Sequence, residues 1–237
     1  MIYPNLENTP IKEIIFSISF EGVVNKECFN KFIELEIVKN KFKDINPSFT
    51  SSIEITNDGA NVFKDNNGFH LKNKNEVLQI RTGSLSYHFL NSYQKYEEIL
   101  LNLITFWILF QDLSKNTLTI LSISVRYINV IEIDDENSAS RLIQLYPQQS
   151  SDRNILNFQN AVNFSYKDSP EHLINVVSTN PGKDLILLDI TVNKIVNFKI
   201  ANELELKKIF EPLQEIKNKV FFDSITAKAL IRYINQK

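Results

Sequence analysis

Between Ile11 and Phe20, the residues Ile14, Phe16, Ile18 and Phe20 recur at period two and alternate with Glu13, Ile15, Ser17 and Ser19. A strand with that alternation commits one whole face to a hydrophobic core, and slipping by one residue would turn its apolar set into solvent. The chain must therefore build a sheet and something to cover it. Asn25 stands as a cap before a helix over 26–42, in which Phe29, Phe32, Ile33 and Ile37 recur at helical spacing until Pro47 closes the segment. Three strand-like runs follow, at 52–56, around 69–71 and at 77–90. They are separated by Asn57-Asp58-Gly59, Asp65-Asn66-Asn67-Gly68 and Asn73-Lys74-Asn75, which read as hairpin turns. A helix over 92–113, apolar on several sides, completes this half.

The order then starts again. Residues 118–133 read as a long strand, 136–145 as a helix, and 158–166, 172–178 and 185–195 as strands. A helix over 202–222 carries Leu206, Phe210, Leu213, Ile216 and Val220 on one stripe, with Pro212 inside it as an expected kink or break. Thr179-Asn180-Pro181-Gly182-Lys183 is a tight hairpin turn. Both halves read strand, helix, three strands, helix. The expected fold class is α+β: two repeats, 1–116 and 117–237, with antiparallel sheet or sheets and long helices packed on one face.

Glycine narrows the chemistry. There are five glycines in 237 residues, Gly22, Gly59, Gly68, Gly83 and Gly182, all at or near strand ends and turns, with 28 asparagines filling many of the other turns. Phosphate-cradling loops need clustered glycines, because only a residue without Cβ lets the backbone approach an anion closely. Walker-type, kinase-type and dinucleotide-binding loops are excluded, as is a GxSxG nucleophile elbow. No cofactor is expected.

Twenty-six basic and 28 acidic residues give a formal net charge of −2, without a Lys/Arg block to attract nucleic acid. One cysteine, Cys28, cannot form an internal disulfide, and the start Met1-Ile2-Tyr3-Pro4 lacks the plan of a secretory signal, so a cytoplasmic location is expected. The longest apolar stretch, Ile99 to Phe110, is interrupted by Asn102 and Thr105 and falls short of the roughly 20 residues that cross a bilayer. It reads as a buried core helix, and no membrane is expected among the partners.

Pro10-Ile11-Lys12-Glu13-Ile14-Ile15-Phe16-Ser17-Ile18-Ser19-Phe20 resembles the opening strand of a sporadically distributed, poorly characterised bacterial family of roughly this length. Val125-Arg126-Tyr127-Ile128-Asn129 resembles its central "LRYIN" strand, with Val125 where Leu is usual. The stretch from Leu213 to Thr226 resembles its closing helix, with Gln214 where His is frequent. The resemblance implies no catalytic residues. The family's patchy distribution implies conflict-related gene cassettes, such as toxin–antitoxin or phage-defence modules.

Glu203-Leu204-Glu205-Leu206-Lys207 matches the ExExK spacing of triphosphate tunnel enzymes, but its continuation has helical period, which would scatter the charges over a helix surface. His70, His88 and His172 lie in separate strands without metal-ligand spacing, so no metal site is expected, and Cys28 beside Phe29 reads as a core thiol. The residues that stand out are Arg81, Arg126, Tyr127 and Asn129. Arg81 and Arg126 interrupt apolar strands and must be either paired by a neighbouring carboxylate or exposed as a recognition surface. Alternation places Ile123, Val125 and Tyr127 on one face and Ser124, Arg126 and Ile128 on the other.

These readings favour a non-enzymatic protein-interaction module, antitoxin-like or accessory, whose partner is a protein encoded nearby or a second copy of the chain. A tunnel-type phosphohydrolase or nucleotide-processing enzyme and a nucleic-acid-binding saddle are the alternatives.

Overall fold

The computed structural model describes residues 3–4, 6, 9–56, 59–90, 96–115, 117–133, 142–144, 158–182, 184–199 and 202–234. The elements run β1 (Ile11–Glu21), α1 (Lys26–Glu34), α2 (Glu36–Lys41), β2 (Asp44–Thr56), β3 (Gly59–Lys72), β4 (Glu76–Arg81), β5 (Ser84–Leu90), α3 (Tyr96–Leu113), β6 (Thr119–Glu132), β7 (Gln159–Tyr166), β8 (Ser169–Gly182), β9 (Leu185–Phe198), α4 (Glu203–Ser224) and α5 (Ala227–Ile231). All nine strands join one antiparallel sheet in the order β2-β3-β4-β5-β1-β6-β9-β8-β7.

This corrects the expected fold class. The chain is organised by one large nine-stranded antiparallel sheet, not by two separate α+β repeats, and three of its five described helices are nine residues or shorter. The physical reason is the apolar β1. Buried in the middle of the sheet, it pairs with β5 on one side and with β6 on the other, so the strands of both halves run on into a single sheet.

Local departures have identifiable causes. Residues 65–68 are not a hairpin but an irregularity inside β3, where Ser48 pairs with Gly68 and Phe49 already with Asn66. Gly68 takes φ +149°, and the Asn66 side chain accepts its N–H at 3.0 Å. The run 77–90 is two strands, turning at Thr82-Gly83. Asn73 does make a turn: its Oδ1 accepts from the N–H groups of Asn75 and Glu76. The first helix breaks at Leu35, whose ψ of 133° is extended. Asn57, Asp58 and nearly all of the helix expected over 136–145 lie outside the described residues. Of that helix, 142–144 form a turn with a bridge from Ile143 to Ile225. α4 runs through Pro212 without ending, opened by an Asn202/Glu205 capping box.

The core lies between one face of the sheet and the helices. Phe16 packs edge-on against Tyr96 and Phe210, Phe20 is tilted against Trp107 and Phe110, and Tyr87 stacks on Phe106. α3 therefore lies over β1 and β5, and α4 over β6 and β9. No described helix is long and apolar enough to cross a membrane.

The opposite sheet face carries serines across its centre. Register aligns Ser86, Ser17 and Ser124 in one transverse row and Ser84, Ser19 and Ser122 in the next.

Candidate functional site

β6 supplies three of the four residues singled out from sequence, and its alternation sends them to opposite sides. Arg126 emerges on the polar face. Its Nε donates to Asp189 Oδ1 and Oδ2 of β9 at 2.9 and 3.1 Å, and its Nη2 donates to Oδ2 at 2.5 Å. Asp189 stands opposite Ile128, so the pair crosses the ladder diagonally. The carboxylate raises the guanidinium above its ordinary value. The carboxylate partner anticipated for a strand arginine is thus present, and the pair remains open to solvent on one side.

Arg81 ends β4, exposed, in the transverse row of Ser84, Ser19 and Ser122. Three strand spacings separate β4 from β6, about 14 Å at the usual 4.8 Å each. The structure does not bring Arg81 and Arg126 together.

Tyr127 and Asn129 point the other way, toward α4, and are nearly fully buried. Asn129 Nδ2 donates to Leu188 O at 3.0 Å, which locks the amide against β9. Both residues line a cavity of ≈ 280 Å³ between β6, the C-terminal half of α4 and the segment before β1. Gln214, Lys217, Asn218 and Phe221 face it from α4 at the i, i+3, i+4, i+7 spacing that places four residues on one helical stripe. The segment before β1 contributes Tyr3, Leu6 and Pro10. It is held by Tyr3 stacking on Phe222 at 4.5 Å and by the Val130 N–H donating to Pro10 O at 2.8 Å.

Lys217 dominates the electrostatics of this cavity. It is 8% exposed, its Nζ lies 3.8 Å from the centre of the Tyr127 ring, and it donates to Asn218 Oδ1 at 2.6 Å. Among the described residues, no carboxylate lies within ion-pair distance of it. Removing an ammonium from water without a counter-ion disfavours the charged form, and burial lowers this amine to about 7. A lysine there can hold an anion as a cation or meet an electrophile as a neutral amine.

Sequence reasoning missed Lys217 because the stripe on α4 was read through Ile216. Besides Phe221, the buried positions are Leu206, Phe210, Leu213, Lys217, Val220 and Ser224, a 4-3-4-3-4 spacing. That heptad-like count, continued from Leu206, lands on the lysine. It was the available signal.

The remaining candidates fall into structural places. Glu203 and Glu205 sit on the first turn of α4. Glu203 pairs with Lys207, and Glu205 closes the capping box, so the ExExK spacing lies on a helix surface. His88 bridges Glu13 at 2.7 Å and Ser86 at 3.0 Å. His172 meets Ser169 and Glu171. No cluster of three or more potential metal ligands occurs among the described residues. Cys28 is buried in α1, where burial raises its thiol. No protein-family model matches the chain, and no curated protein matches it.

Proposed function

We propose that this chain acts by binding, as a non-enzymatic interaction protein of the antitoxin-like or accessory kind in a bacterial defence or toxin–antitoxin pair. One observation carries the reading. On the sheet face away from the helices, the Arg126–Asp189 pair shares the surface with exposed Leu173 and Ile195, 48% and 64% accessible, which lie further along β8 and β9 in the rows of Asn193 and Ser122, with Asn175 and Thr191 in the row of Arg126. A face that combines a charged, bidentate pair, exposed apolar side chains and short polar groups has the composition of a protein-docking surface. The edge strand β7 bounds this face. β7 ends the strand order of the sheet. The cassette context implied by the family resemblance supplies the kind of partner.

Co-expression with the product of the adjacent gene, followed by size exclusion, tests this reading. A co-eluting complex that Leu173→Asp and Ile195→Asp disrupt, while the chain stays folded, is expected. Elution of the folded chain apart from each neighbouring gene product overturns it.

A further inference from the structure

We propose that the cavity bounded by Lys217, Tyr127 and Asn129 is a binding site for a small organic acid, a carboxylate carried on an apolar body, with the Lys217 ammonium as its counter-ion.

Three features converge on this chemistry. The first is a buried cation with no carboxylate beside it among the described residues. An ammonium has three N–H donors; one goes to Asn218 Oδ1 and the Tyr127 ring faces the group, and no described carboxylate completes the set. A buried charge without a partner is costly, and a carboxylate arriving from solution supplies the missing one. The second is the lining. Tyr3, Leu6, Ile11, Phe221 and Phe222 offer apolar surface, while Gln214 and Asn218 bring side-chain amides able to hydrogen-bond carboxylate oxygens. Apolar walls with a few polar groups of fixed position are the usual make-up of a small-molecule site. The third is size. At ≈ 280 Å³ the cavity lies just below the roughly 300–1,000 Å³ of drug-sized pockets, which suits a benzoate-sized acid and not a nucleotide. Burial lowers the proton affinity of Lys217, and an arriving carboxylate would oppose that effect. This site lies on the helix side of the sheet, opposite the Arg126 face, and does not depend on a protein being bound there.

Benzoate and the neutral benzyl alcohol, titrated calorimetrically into the full chain, test the proposal. Benzoate is expected to bind at least about tenfold tighter, a difference of about 1.4 kcal/mol. Lys217→Met is expected to abolish that preference, while Arg126→Ala leaves it unchanged. Nuclear Overhauser contacts between benzoate and the Tyr127 or Phe221 ring protons give a second reading on the unmodified chain. Equal binding of acid and alcohol, no benzoate binding at millimolar concentration, contacts elsewhere, or a preference retained in folded Lys217→Met would each overturn it.

Discussion

Lys217 and Tyr127 face each other across the interface between α4 and β6, the ammonium 3.8 Å from the ring centre. The ring's negative face attracts the cation, a contact worth about 2 kcal/mol where water is excluded. It does not offset the loss of hydration, because the lysine still falls from 10.5 to about 7. The contact therefore locates the charge more than it stabilises the fold.

Replacing that charge should strengthen the protein. In the unfolded chain Lys217 keeps its ordinary affinity for a proton, so between about pH 7 and 10 the unfolded state binds more protons, and stability rises with pH. Lys217→Met removes this dependence and is expected to stabilise the fold by about 1–4 kcal/mol at neutral pH, with the gain shrinking as pH approaches 10. Urea midpoints of both proteins at neutral and alkaline pH check the sign. A variant less stable than the parent at neutral pH contradicts it.

The Arg126–Asp189 pair should contribute little to folding despite its bidentate geometry. The arginine side chain is 44% exposed, so solvent screens the attraction. A double-mutant cycle with Arg126→Ala and Asp189→Ala is expected to give a coupling of about 1 kcal/mol or less. Partner binding in co-expression is the property these changes should damage.

Gly68 should be the least replaceable glycine of those whose surroundings are described. Its φ is +149°, and an added Cβ would stand 1.9 Å from Ile80 O, a backbone atom with nowhere to move inside the sheet. Gly68→Ala is expected to cost at least about 2 kcal/mol. Gly83→Ala, with φ +88° and its nearest contact at 3.6 Å, should cost about 1 kcal/mol from the backbone conformation alone. Thermal midpoints of the two variants give the order.

His172 makes the fold sensitive to mild acid. Burial, and then the Lys194 ammonium, hold its imidazole below the ordinary value against the opposing pull of Glu171. The neutral ring belongs to the folded state, so its stabilisation is complete above about pH 6.5 and is lost as pH falls below that. His172→Gln should flatten the pH dependence just below 6.5 in chemical denaturation. An unchanged slope there would show that the carboxylates alone govern it.

The strands β1, β6 and β9 were legible because most of their core residues recur at period two, and a buried face leaves few alternatives. The turn at Asn73 was legible for a similar reason, since an Asn side chain can close its own loop. How the strands associate was not legible: the alternation of β1 shows which face is buried and says nothing of which strand lies at each edge. Arg126 could be placed on its face by counting, whereas Asp189 could not be paired with it, because that contact depends on a register between strands some sixty residues apart. Lys217 was hidden by its identity, since a lysine inside an apolar stripe is read as solvated unless the spacing is followed through it.

The position of β1 shapes how the chain is made. As the protein leaves the ribosome, β1 emerges before β5 and β6, the two strands that flank it in the sheet, and the strand that covers its second edge begins only at Thr119. Through the intervening synthesis the apolar, β-branched β1 has one row of backbone donors and acceptors unsatisfied, the form in which a nascent chain pairs with the wrong neighbour. Slow translation between α3 and β6 would lengthen that exposure, and holding chaperones should act on this protein before its hundred-and-thirtieth residue or so rather than after its release.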